Sequence, residues 1–116
     1  MSVWFEERDY FLIARCDMPA LDAGNARAFK EELTAAIGES HRGLVVDMSL
    51  VREIDSSGLG ALVAVLKWMR RFGGTMRIAG VTIPVREVIE LTMLHRILPM
   101  HETVESAMEE ETSRLL

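Results

Sequence analysis

A single cysteine, Cys16, is present in this chain of 116 residues, so no internal disulfide can form. Its place inside the apolar run YFLIARC marks it as a small core residue rather than a nucleophile. No window approaches the roughly 18 apolar residues of a membrane span. The opening MSVWFEERDYF carries acids and lacks the basic start and long apolar run of a signal peptide. Positive charge is also scarce. The net charge is -5, and Lys and Arg are scattered apart from the group Lys67, Arg70 and Arg71, which leaves no basic footprint for nucleic acid. His41, His95 and His101 are too dispersed to spell a metal site beside a lone cysteine, and read as solvated surface residues. These absences describe a cytoplasmic protein without a membrane span, a polynucleotide partner, a metal or a cofactor.

What is present is globular: 49% hydrophobic and 27% charged residues, in a length that suits one core. Residues 1–116 are read as one domain. SVWFEE and YFLIARC flank a polar turn and predict an antiparallel strand pair. After the loop DMPALDAGN, apolar residues recur at helical spacing from Ala26 through Phe29, Leu33 and Ile37, with Asp22 as the expected N-cap and Gly38 as the stop. GLVVDMSL is short, β-branched and almost wholly apolar, the pattern of a central strand buried on both faces. ALVAVLKWMRRFGG predicts a helix ended by Gly73 and Gly74. TMRIAGV predicts a strand, IPVREVIELTML a helix with Pro84 in its first turn, and TVESAMEEETSRLL a surface helix. Together these elements describe an α/β fold: a mixed, mostly parallel sheet with an N-terminal antiparallel pair and about four helices.

Between the central strand and its helix stands EIDSSGLGAL, residues 53–62. Asp55, Ser56 or Ser57 can each cap the helix by accepting a free first-turn amide. Gly58 and Gly60 are poor helix formers, each about 1 kcal/mol worse than Ala, and keep the helix start uncrowded so that another molecule can approach its backbone. A helix start favours phosphate. Three readings are open on these residues: a site for a ligand's phosphate, a serine that receives one covalently, or a well-capped helix with small residues for packing. The stretch lacks the lysine of a phosphate-binding nucleotide loop and the Gly-x-Ser-x-Gly of a hydrolase elbow, and an enzyme is not expected.

The run LVVDMSLVREIDSSGLGALVAVLKWMRRFGGTMRIAGVTIPVREVIELTMLHRIL resembles the STAS domain of bacterial anti-sigma factor antagonists in the order and spacing of Asp47, IDSSGLG, the Gly-Gly helix end and the strand and helix that follow. The resemblance implies that Ser56 is the phosphorylated serine, supported by Asp55, Ser57, Gly58 and Gly60. By analogy, Asp55 positions the hydroxyl or the loop and Ser57 helps to cap the helix. The implied partners are an anti-sigma factor serine kinase with a histidine-kinase-like ATPase fold, bound by the unphosphorylated form, and a serine phosphatase that resets the switch. Asp22, Ser56, Leu59 and Trp68 are the expected partner-binding residues. The alternative within the same resemblance is a structural or ligand-sensing subunit of a lipid-transport or signalling assembly with no phosphorylation cycle.

The chain departs from the family's pattern in two places. PALD occupies the loop before the first helix, where a glycine and an acid are common, and Met93 stands where a glycine often ends the third helix. The helix after Ser56 also carries a second apolar stripe, Ala61, Val65, Trp68 and Phe72, opposite Leu59, Leu62, Leu66 and Met69. Val65 and Phe72 are expected to pack internally, and Trp68, among basic residues, is a candidate for partner contact.

Overall fold

The computed structural model describes residues 2–115, with side chains through residue 109. In chain order its elements are β1 (Val3–Arg8), β2 (Phe11–Cys16), β3 (Ala20–Leu21), α1 (Ala26–Ala36), β4 (Gly43–Asp47), β5 (Glu53–Ile54), α2 (Ser56–Arg71), β6 (Thr75–Ala79), α3 (Ile83–Leu91), a 3-10 turn (Leu94–Arg96), β7 (Met100–His101) and α4 (Val104–Leu115). The main sheet runs β1-β2-β4-β6-β7; β1 and β2 are antiparallel and every other neighbouring pair is parallel. β3 and β5 form a separate parallel pair. The predicted class is therefore the observed one, and the three two-residue strands are what periodicity did not signal, being too short to show alternation.

The alternation of side chains along each strand sorts the sheet into two faces. Leu12 and Ala14 of β2, Leu44 and Val46 of β4, and Met76 and Ile78 of β6 point to the face covered by α1, α2 and α3. There they meet Phe29 and Leu33, Leu62 and Met69, and Val85 and Ile89. On the other face Phe11, Ile13, Val45 and Ala79 are covered by Val104 and Ala107 of α4. β4 is thus buried on both sides, as its near-continuous apolar run requires. Each fully buried large aliphatic of this core contributes roughly 1.5–3 kcal/mol. Cys16 belongs to the core, and burial pushes its thiol up to about 12. Asp47, the last residue of β4, accepts from Arg15 at 2.9 Å; Arg15 also donates to Glu6, and Arg8 links Glu6 to Glu105 of α4. Pairs this exposed add little individually and mainly orient the edge hairpin and α4.

The helix ends show why the chain turns where it does. Past α2, Gly73 has φ +73°, its N–H donates to Arg70 O at 3.1 Å and that of Gly74 to Met69 O at 2.9 Å, the paired bonds of a Schellman stop. Past α3, Met93 takes the same left-handed conformation, φ 62°, and donates to Glu90 O at 3.1 Å. The helix termination is thus retained without the usual glycine, at the energetic cost of a β-carbon in that region.

Three expectations are corrected. His41 is buried, not solvated: its Nδ1 accepts from Gly38 N at 2.9 Å, so the ring proton lies on Nε2, 2.9 Å from Glu7. His95 and His101 are half-buried. Phe72 does not pack internally but is 61% exposed at the C-cap of α2, where its ring lies against Trp68 and not against the core; Val65 is buried as expected. Asp22 is not the cap of α1, which starts after Asn25. Asp22 instead opens the preceding turn, accepting Gly24 N on Oδ1 and Ala26 N on its carbonyl.

Candidate functional site

The short pair of β3 and β5 brings two distant loops together. Ala20 lies opposite Glu53 and Leu21 opposite Ile54, so the turn Asp22–Asn25 sits beside the start of α2 at the carboxyl edge of the main sheet. Asn25 fixes that turn: its Oδ1 accepts from Asp22 N at 2.9 Å and its Nδ2 donates to Ala20 O at 2.7 Å. Asp55 joins the two loops. One carboxylate oxygen accepts Gly58 N at 2.9 Å and thereby caps α2; the other accepts Ala23 N at 3.1 Å across the gap. The Gly58 amide foremost, with that of Ala23, holds the Asp55 carboxyl below its ordinary range.

Because Asp55 caps the helix, neither serine is used for that purpose. Ser56 and Ser57 occupy the first turn, both exposed, and among the described residues neither hydroxyl makes a hydrogen bond. The expectation that Ser57 helps to cap the helix is corrected: an N-cap side chain must precede the first helical residue and reach back to an amide two or three positions on, and Asp55 already does so. The site therefore presents two free hydroxyls at a helix start, where the helix dipole favours negative charge.

The two glycines separate sharply. A β-carbon on Gly58 would collide with the Leu21 carbonyl oxygen and lie 2.8 Å from Ile54 Cγ1. This glycine accommodates the chain's own β3 strand, not a visiting molecule. A β-carbon on Gly60 would meet nothing within 4 Å. Gly60 instead floors a shallow groove of about 260 Å³ between α1 and α2, lined by Arg27, Lys30, Ser57, Ala61 and Ala64. Leu59 is half-buried and packs against the core. Trp68 is not brought to this site: twelve residues along α2 it stands about 18 Å away by helical rise, at the other end of the helix beside Ile37 and Gly38. Sequence reasoning missed Ala23 and Asn25, although an Asn after Asp-Ala-Gly is itself a turn signal. Among the described residues no cluster of three or more His, Cys, Asp or Glu side chains is placed to hold a metal ion, and no helix is long and apolar enough to cross a membrane.

The molecule is thus an α/β domain whose central strand leads into an acid-capped helix with an accessible serine at its first position. The chain belongs to the STAS domain family, whose profile matches residues 3–107. It is 29% identical over 107 residues to a Bordetella bronchiseptica protein provisionally named the anti-sigma factor antagonist BtrV, covering 92% of this chain and 91% of that one. The crystal structure of a provisionally named anti-sigma factor antagonist from Thermotoga maritima superposes with a TM-score of 0.83 at 28% identity, covering 93% of this chain and 92% of that chain. The anti-sigma factor antagonist SpoIIAA of Bacillus shares the fold in its unphosphorylated form (TM-score 0.79, 18% identity, 96% of each chain) and its phosphorylated form (TM-score 0.69, 17% identity, 93% of this chain and 97% of that chain).

Proposed function

We propose that this protein is an anti-sigma factor antagonist that switches partners through phosphorylation of Ser56. In this reading the unphosphorylated form binds an anti-sigma factor serine kinase with a histidine-kinase-like ATPase fold and so releases a sigma factor. The kinase transfers the γ-phosphoryl group of ATP to Ser56 Oγ, the hydroxyl proton is lost and ADP leaves. A serine phosphatase later hydrolyses the ester. The protein is a substrate and a binding module in the cytoplasm, not a catalyst.

The observation that carries the reading is the division of labour between Asp55 and Ser56. The cap of α2 is made by Asp55, so Ser56 stands exposed with a free hydroxyl, and a phosphate can be added without removing any bond that holds the helix. The phosphate would sit one residue from the Asp55 carboxylate, adding roughly -1.5 to -2 charges to a surface that already holds an acid. A partner fitted to the neutral hydroxyl would then have to desolvate that charge, and a few kcal/mol lost weakens binding by orders of magnitude. That SpoIIAA is known in phosphorylated and unphosphorylated forms supports the same cycle here.

The test is capture from a native lysate on Ser56→Ala and Ser56→Asp baits, with retained proteins identified by mass spectrometry. An ATPase of the histidine-kinase-like kind on the Ala bait and absent from the Asp bait is the expected result. Identical companions on both baits would sink the switch and leave Ser56 an ordinary first-turn serine.

A further inference from the structure

We infer that the far end of α2 is a second docking surface, for a short acidic segment of a partner protein that carries one apolar side chain. Trp68, Phe72, Ile37, Gly38 and Glu39 line a cleft of about 120 Å³ between the ends of α1 and α2. An apolar cavity of roughly 150 Å³ holds a benzene molecule, so this cleft has room for one side chain of a visitor. The Trp68 ring is half-buried, meets Phe72 edge-on at 5.6 Å and has the Arg71 guanidinium over it at 5.3 Å. Phe72 projects from the surface with no core to cover.

Charge defines what fits. The last turns of α2 carry Lys67, Arg70 and Arg71, all exposed and none in an ion pair among the described residues, in a chain whose net charge is -5; of the three, Arg71 stands at the cleft itself, against the Trp68 ring. Glu39 is the one acid in the lining. Local charge of the opposite sign to the whole molecule steers an acidic segment to this end. An anionic bilayer is the weaker occupant, because it is repelled by the rest of the chain and offers no single side chain for a cleft this small.

This surface is independent of the Ser56 cycle, since α2 places Trp68 about 18 Å from Ser56 along its axis. The test uses the full chain with Trp4→Phe, which leaves Trp68 as the only indole. The Trp68 indole N–H resonance is followed while short amidated peptides are added, each with Leu, Ile or Phe at the centre and a pair of glutamates on either side. A saturable shift is expected with at least one of them, weakened about tenfold when Arg70 and Arg71 are changed to Glu and unaltered by Ser56→Asp. Lysine-flanked peptides should leave the resonance in place. Equal shifts with acidic and basic peptides, or no saturable shift with any acidic peptide, overturn the inference. Binding of phosphatidylglycerol vesicles through the same resonance without peptide binding also overturns it, in favour of a membrane surface.

Discussion

Gly58 and Gly60 stand two residues apart in one helix, and the structure assigns them opposite responses to the same substitution. Gly→Ala in a helix gains about 0.8–1.0 kcal/mol from propensity alone. At Gly60 nothing opposes that gain, since a β-carbon there meets nothing within 4 Å. Gly60→Ala should therefore stabilise the protein by about 1 kcal/mol, a rise in Tm of roughly 3–6 °C for a domain of this size. At Gly58 the new methyl group meets the Leu21 carbonyl oxygen, which is backbone held in the β3–β5 pair, and also Ile54 Cγ1. Overpacking typically costs about 1–3 kcal/mol, and part of the Asp55 cap moves with it, so Gly58→Ala should lose about 1–2 kcal/mol net after the propensity gain. Urea unfolding followed by circular dichroism, with both variants and wild type fitted to a common slope, measures the difference. Equal midpoint shifts of the same sign would refute the packing argument and return both glycines to the role of spacers.

The remaining expectations concern a turn, a cap and the thiol. Met93→Gly removes a β-carbon from the left-handed region and should raise stability by about 1 kcal/mol, seen as a higher urea midpoint with an unchanged slope. Asp55→Asn keeps an acceptor for Gly58 N but loses the charge and the bond from Ala23. The Asp55 carboxyl is depressed in the folded state, so its contribution is fully present above the unfolded value near 3.9 and is lost as pH falls through the folded value. Wild type should accordingly exceed Asp55→Asn in urea midpoint at pH 7, with the gap closing below about pH 4. Cys16, with its thiol raised to about 12, should react with a thiol-specific disulfide reagent at pH 8 roughly three orders of magnitude more slowly in the native than in the unfolded protein.

Much of the candidate site was legible in the residues because its parts are local. A cap and the helix it starts are neighbours in sequence, and Asp55-Ser-Ser-Gly announces both. The choice among the three capping candidates was not legible, since each residue type is competent and only the chain's path decides which side chain reaches Gly58 N. The partnership of Asp55 with Ala23, thirty-two positions away, was equally hidden, because it depends on two-residue strands with no periodic signal. His41, a polar residue, reads from sequence as a surface side chain. It is buried because Gly38 and Glu7 satisfy both ring nitrogens, and such pairing is invisible until the hairpin and the end of α1 are brought together.

The sequence by itself determined the alternation of strands and helices, the doubly buried β4, the stop after α2 and the serine-bearing start of that helix. Each follows from periodicity or backbone preference within a few residues, where the physics is short-ranged. Only the tertiary structure decided that Gly58 answers to the chain and Gly60 to solvent, that Phe72 stands outside the core, and that Trp68 and Ser56 belong to opposite ends of one helix. Those outcomes depend on which surfaces are already occupied by distant segments, and steric exclusion between them has no signature in the order of residues along a chain.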